Sequence, residues 1–324
     1  MPDDRYVLTG PLDAGTSRPA DSADRWVTVH EVGPRDGLQA EPQALPALLK
    51  IDLASALLDA GVTSLEVASF VHPDRVPQMA DAEAVAGAFP ARDGLRLLSL
   101  VPNLRGLDRA LEAGVRDIGV FASATESFAR ANMGTTLQGS IDLAVETAQA
   151  AVEQGVRARG YLSMCFGDPW EGPVDPAAVI DASLRLLEAG CGQVVVSDTI
   201  GVAHAGQTEA LLTDMDRAGI GADRIALHFH DTYGQALANV RTALDAGVRE
   251  FDASASGLGR CPFAPGATGN LATEDLLWML HGMGYETGID LTKLMGASDA
   301  VDQAIGRTSA SSVKRALTRQ TGGN

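Results

Sequence analysis

GQVVVSDTIGVAHAGQTEALLTDMDRAGIGADRIALHFHDTYG, residues 192–234, carries two apolar, β-branched runs on either side of a helix-length segment. Each run closes on the same turn, SDTIG at 197–201 and HDTYG at 230–234. A strand, a helix and a second strand so arranged form a parallel βαβ unit, and a shared turn design implies that the unit repeats. The alternation continues on both sides. Further strand candidates are WVTVHEV from Trp26, VTSLEVAS from Val62, LRLLSLV from Leu95, RDIGVFAS from Arg116, VRARGYLS from Val156 and REFDASA from Arg249, which makes eight in all. Helical segments lie between them. One bears Leu45, Leu49, Leu53 and Leu57, whose i, i+4 spacing sets an apolar stripe against a sheet. Four helices should stop at a recurring Asp/Glu-Ala-Gly, at Gly61, Gly114, Gly190 and Gly247, where glycine suits a left-handed cap. Eight βα units predict an α/β chain folded as a (β/α)8 TIM barrel with extra C-terminal helices. The rival, an open doubly wound sheet, wants G-x-G-x-x-G after its first strand, where residues 31–39 read EVGPRDGLQ instead.

The 324 residues divide into an N-terminal arm over 1–25, expected to be flexible because it is polar and small-residue-rich, a catalytic barrel over 26–305, and a C-terminal helix and tail over 306–324. Beyond Gly288 the helical periodicity allows two capping helices, one through Val301 and one from Ser309 to Thr318. A formal net charge of −17 disfavours nucleic acid and anionic lipid as partners. It leaves an anionic small molecule possible, since a few cations or a metal can reverse the field inside one cleft. The three cysteines, Cys165, Cys191 and Cys261, are too scattered for a disulfide framework or a structural zinc site. The opening MPDDRYVLTG lacks the basic-then-apolar pattern of a secretory signal, so a cytoplasmic setting is expected.

In a barrel of this kind catalytic groups gather at the C-terminal ends of the strands. The candidates there are Arg35 and Asp36 after the first strand, Glu66 on the second, Asp198 on the sixth, His228 and His230 on the seventh, and the loop from Cys261 to Asn270 after the eighth. His228 and His230 are one residue apart on a strand, so they share a face and can converge on one ion. A pair of buried, hydrogen-bonded histidines is the plainer alternative. Asp36 is the first choice for a carboxylate ligand and Asp198 its competitor. Asn270 could add an amide oxygen, giving a mixed oxygen and imidazole set suited to Mg²⁺ or Mn²⁺. Arg35 is placed to bind substrate, steadying an enolate or carboxylate oxygen. Glu66 could orient Arg35 or accept a proton. The segment from Gly257 to Asn270 holds four glycines, two prolines and Cys261, and reads as a mobile lid with a reactive thiol, whereas Cys165 and Cys191 read as packing.

The segments EVGPRDGLQ (31–39), SFVHPDRVPQMAD (69–81), SDTIG, HFHDTYGQALAN (228–239) and GLGRCPFAPGATGNLATEDL (257–276) together resemble the 3-hydroxy-3-methylglutaryl-CoA lyase family, in order over about residues 27–305. The resemblance implies a (β/α)8 fold and a metal-assisted retro-Claisen cleavage of hydroxymethylglutaryl-CoA to acetyl-CoA and acetoacetate, in metabolism of the leucine and ketone-body type. It also implies that Asp36, His228, His230 and Asn270 ligate Mg²⁺ or Mn²⁺, that Arg35 steadies the enolate, and that Cys261 is the catalytic thiol. Glu66 and Asp198 match polar site positions. An acyl-CoA substrate and a homodimer follow from the same resemblance. The chain departs from the family pattern at Arg260, where a glycine is usual, and at Phe263, where a tyrosine is usual. Met164 and Phe166, in SMCFGDPWEG (163–172), are expected to reshape the acyl pocket. Two rivals remain: a condensing synthase of the isopropylmalate or homocitrate kind, disfavoured by the Cys261 loop and by the short C-terminal stretch, and a non-catalytic CoA-binding barrel.

Overall fold

A computed structural model describes residues 25–259 and 269–321. Apart from Arg25, the N-terminal arm lies outside the described residues, as do Arg260, Cys261 and Phe263. Each of the eight expected strands forms: β1 (Thr28–Glu31), β2 (Ser64–Ser69), β3 (Arg96–Leu100), β4 (Asp117–Ser123), β5 (Arg157–Ser163), β6 (Gln193–Asp198), β7 (Ile225–Phe229) and β8 (Glu250–Ala253). They are parallel and pair in sequence order, and β8 returns to β1 with Thr28 opposite Glu250 and Glu31 opposite Ala253. The sheet is therefore a closed barrel.

The helices α1 (Ala47–Asp59), α2 (Ala82–Gly87), α3 (Leu104–Glu112), α4 (Leu137–Glu153), α5 (Pro176–Glu188), α6 (Ala205–Arg217), α7 (Ala236–Asp245) and α8 (Thr273–Gly282) each follow one strand and form the outer ring. The four Asp/Glu-Ala-Gly stops occur as expected, with Gly61, Gly114, Gly190 and Gly247 at φ between 84° and 100°. Three C-terminal helices follow, α9 (Leu291–Ala297), α10 (Asp299–Ile305) and α11 (Ser312–Thr321), where periodicity suggested two. The chain bends at Ser298, a buried residue whose hydroxyl is held by the Lys314 ammonium at 2.7 Å. Among the described residues no helix is long and apolar enough to cross a membrane.

Strands β2 and β7 are buried along their whole length, because helices cover one face and the barrel interior the other. Side-chain alternation sorts the residues between the two. Leu98, Leu100, Tyr161, Val195 and Ala226, with Phe121, form an inner cluster distinct from the larger core under the helices. The inward series continues two residues further on to His228, Ser197 and Ser163, at the C-terminal mouth. The intervening residues, such as Leu227 and Val196, belong to the core under the helices.

Candidate active site and metal centre

The chain leaves β1 through one tight π-helical turn, Gly33–Gly37 (GPRDG). Two glycines permit it: a Cβ at Gly33 would fall 2.7 Å from Glu31 Oε1, and one at Gly37 the same distance from Leu258 Cβ. The turn aims Arg35 and Asp36 across the barrel mouth. Arg35 Nη1 donates to Asp36 Oδ1 at 2.8 Å, and Nη2 lies 2.5 Å from Glu66 Oε2 on the neighbouring strand. Burial raises the Glu66 pKa to about 7 against the pull of Arg35.

His228 is the inward residue at the end of β7, and His230 follows it, the rings 5.3 Å apart. The segment 269–271 pairs antiparallel with 229–231 through Asp231 N to Gly269 O and Leu271 N to Phe229 O, each 3.0 Å. That pairing carries Asn270 to the same mouth, where its Nδ2 donates to Asp36 Oδ2 at 2.8 Å and to Leu258 O at 3.0 Å. One ligand atom from each of Asp36, His228 and His230 lies within 4.8 Å of the other two, the separation one small cation would bridge. Burial, and then the neighbouring His228, push the His230 pKa down, so two protonated rings are disfavoured. Burial alone would raise the Asp36 carboxyl, but Arg35 and the two histidines hold it below its usual range. A neutral imidazole and an ionised carboxylate are what a divalent cation needs. His230 Nδ1 and Asn270 Oδ1 are buried without any hydrogen-bond partner, as expected of groups whose partner is an ion. The donor set fits a divalent metal.

The mouth opens into a cavity of about 880 Å³. Arg35, Asp36, His228 and His230 form one wall; Leu100, Phe121, Phe128, Met133 and Leu143 line an apolar side; Tyr161, Ser163, Ser197 and Thr199 add hydroxyls. Met164 and Phe166 do not line it. Met164 packs with Phe128 and Ile200, and Phe166 against Phe229 with ring centroids 6.0 Å apart, so neither faces the cavity directly among the described residues, and Met164 bears on it only from behind Phe128. Asp198 is not brought into the cluster either. It is one residue out of phase with the inward Ser197, and its oxygens accept from Val202 N at 2.9 Å and Ala203 N at 3.0 Å, bracing its own loop. Cys261 lies outside the described residues.

Sequence reasoning missed three groups. Glu31 faces outward, fully buried, and accepts from Gly33 N at 2.8 Å, Ala255 N at 2.9 Å and the Thr273 hydroxyl at 2.6 Å, tying the Arg35 turn to the root of the last loop. Asp252 and Arg159 lie inside the barrel behind His228. A charged residue on the inward phase of a strand was the available signal for the last two.

The HMGL-like family model matches residues 26–301. The Arabidopsis thaliana mitochondrial hydroxymethylglutaryl-CoA lyase is 43% identical over 91% of this chain, which spans 63% of that protein's length. A Pseudomonas aeruginosa 3-hydroxy-3-isohexenylglutaryl-CoA/hydroxy-methylglutaryl-CoA lyase is 43% identical over 90% of this chain and 97% of its own. The solved structure of a hydroxymethylglutaryl-CoA lyase from Pseudomonas aeruginosa superposes with TM-score 0.88 at 42% identity, over 91% of this chain and 98% of that one. An HMG-CoA lyase from Acinetobacter baumannii, solved with coenzyme A and 3-methylmalate, superposes at 0.85 and 34%, over 91% and 96%. Barrel, strand-end cluster and matched length agree, and the chain belongs to the HMGL-like family.

Proposed function

We propose that the protein is a divalent-metal-dependent carbon-carbon lyase that cleaves 3-hydroxy-3-methylglutaryl-CoA, or a close 3-hydroxy-3-alkyl analogue, to acetyl-CoA and acetoacetate or the matching 3-oxo acid. The observation that carries this reading is the convergence of Asp36, His228 and His230 beside the buried Arg35 in a cavity with an apolar side. The names of its relatives support the substrate class.

The reaction breaks the C2–C3 bond of the acyl group. The C3 hydroxyl loses its proton, C3 becomes a ketone carbon, and the electron pair passes to C2 as the enolate of the thioester. A divalent ion held by Asp36, His228, His230 and Asn270 would supply the Lewis acidity that makes the C3 hydroxyl easier to deprotonate. Asp36, which keeps a carboxylate lone pair beside the ion, accepts that proton. Arg35, kept cationic between Asp36 and Glu66, offers a charge-assisted hydrogen bond to the enolate oxygen. Cys261 delivers a proton to C2, which completes acetyl-CoA. Glu66 steadies Arg35, and Asp198 shapes the loop that carries Thr199. Mg²⁺ or Mn²⁺, a role in leucine degradation, a cytoplasmic setting and a homodimer complete the reading.

The test is acetyl-CoA release from hydroxymethylglutaryl-CoA by purified protein with Mg²⁺ or Mn²⁺, beside His228→Ala and Cys261→Ala variants. Metal-dependent turnover lost in both variants is the expected result. Folded protein that binds Mn²⁺ yet releases no acetyl-CoA from this substrate or its longer 3-alkyl analogues would overturn the reading.

A further inference from the structure

His228 is tethered from behind. Its Nδ1 lies 3.2 Å from Asp252 Oδ2, and the two residues are directly opposite in the β7–β8 register. Asp252 is wholly buried, and its other oxygen, Oδ1, accepts from Arg159 Nη2 at 2.9 Å, a cation that reaches over from β5. The same Nη2 lies 2.9 Å from Glu250 Oε1, while Nη1 donates to the Tyr161 hydroxyl at 2.8 Å. Arg159 is itself only 4% exposed, so a buried cation stands directly behind a buried carboxylate. The guanidinium is paired with Asp252 at hydrogen-bond distance, and a carboxylate in an ion pair can only accept.

We propose that Asp252, backed by Arg159, is the positioning residue of the metal centre, holding His228 in the Nδ1–H tautomer so that the lone pair on Nε2 is presented to the ion. The inference rests on the metal-dependent reading above. If Nδ1 were unprotonated, its lone pair would face the carboxylate, so the tether fixes the tautomer as well as the ring plane. A carboxylate, a histidine and a metal in this order make a ligand more basic and more rigid, and loss of the carboxylate typically weakens metal binding about 10–100-fold. Asp252→Asn is the sharper substitution, because it nearly preserves shape. Arg159 would attract the amide oxygen, turning the NH₂ toward Nδ1, and a ring that accepts at Nδ1 carries its proton on Nε2, where the ion should sit.

Two measurements test this. Mn²⁺ binding followed by electron paramagnetic resonance should weaken about 10–100-fold in Asp252→Asn. In the control Asp117→Asn, which breaks the bidentate pair with Arg157 at 2.5 and 2.7 Å away from the metal cluster, Mn²⁺ affinity should not move even where stability falls. The second measurement needs no variant: ¹⁵N spectra of histidine-labelled wild-type protein should show neutral His228 as the Nδ1–H tautomer. Wild-type Mn²⁺ affinity in a folded Asp252→Asn, or His228 found as Nε2–H in the wild type, overturns the proposal. A wild-type chain that shows the expected tautomer but binds no Mn²⁺ would sink the metal-dependent reading while leaving the tether intact.

Discussion

Arg35 meets Glu66 at 2.5 Å with both side chains withdrawn from solvent, 8% and 0% exposed. The pair joins the first and second βα units and fixes a cation that reaches the metal cluster through Asp36. Removing one partner of a buried ion pair strands the other, at a cost of about 3–5 kcal/mol. Glu66→Ala is therefore expected to lower thermal stability by about that amount, while Glu66→Gln, which keeps an acceptor for Nη2, should lose clearly less. Chemical denaturation measures both. Equally small losses would mean that Asp36 alone suffices to hold the guanidinium, and equally large ones that Glu66 acts through its charge rather than as an acceptor.

Arg35→Gln separates the catalytic part of that pair from the structural part. Glutamine can still donate to Glu66 but carries no charge for the enolate oxygen. Loss of a preorganised charge-stabilising donor costs about 2.7–4 kcal/mol, or roughly 10²–10³-fold in kcat. Steady-state kinetics should show that fall in kcat with Mn²⁺ still bound. A change confined to KM would assign Arg35 to substrate binding alone.

Much of this was legible in the sequence because the relevant signals are periodic. Eight β-branched runs and four Asp/Glu-Ala-Gly stops fix strand number and helix ends locally, and closure follows from their count. His228 and His230 were legible because both lie within a single strand end. Asp198 lies at the expected strand end but outside the cluster, since one residue of phase separates the inward Ser197 from a carboxylate that braces its own loop. Glu31, Asp252 and Arg159 were not legible as site residues. Their partners lie 224, 24 and 93 residues away in sequence, so only the closed barrel brings them together.

Glu274 makes stability depend on pH in a direction that can be stated. Both of its oxygens accept from Ser256 N at 2.9 Å, and burial raises its pKa to about 8, with Lys314 opposing and Glu31 adding to the rise. A carboxyl whose folded pKa exceeds its unfolded value of about 4.3 binds its proton more tightly in the native state. Its stabilising contribution is full below that unfolded value and is lost as pH rises through about 8. The midpoint of thermal unfolding should therefore fall between pH 5 and 9, by roughly 2–4 °C per kcal/mol for domains approaching this size. In Glu274→Gln, which cannot ionise, the slope should be shallower. An unchanged slope would remove Glu274 as its source.

Ser256 stands at the root of the segment that bears Cys261, at φ 61° and ψ 8°, a left-handed conformation costly for a residue with a side chain. The surroundings impose it. Its N–H is taken by Glu274, its hydroxyl by Asp302 at 2.5 Å, and its carbonyl by Arg307 Nη2 at 2.8 Å and Ala310 N at 3.0 Å. Arg307 also reaches the Gly257 carbonyl at 3.1 Å, so the C-terminal helices grip the point from which the chain departs toward its thiol. Arg307→Ala leaves buried carbonyls short of a donor, at about 1–3 kcal/mol. If the grip only stabilises the barrel, the midpoint falls and kcat is unchanged at temperatures where the variant is folded. If the grip aims the Cys261 segment, kcat falls as well, while Mn²⁺ affinity stays at the wild-type value because none of Asp36, His228 or His230 contacts Arg307. The number of hydrogen-bond partners converging on one strained serine favours the second outcome, and measuring kcat, midpoint and Mn²⁺ affinity together on this one variant distinguishes the two.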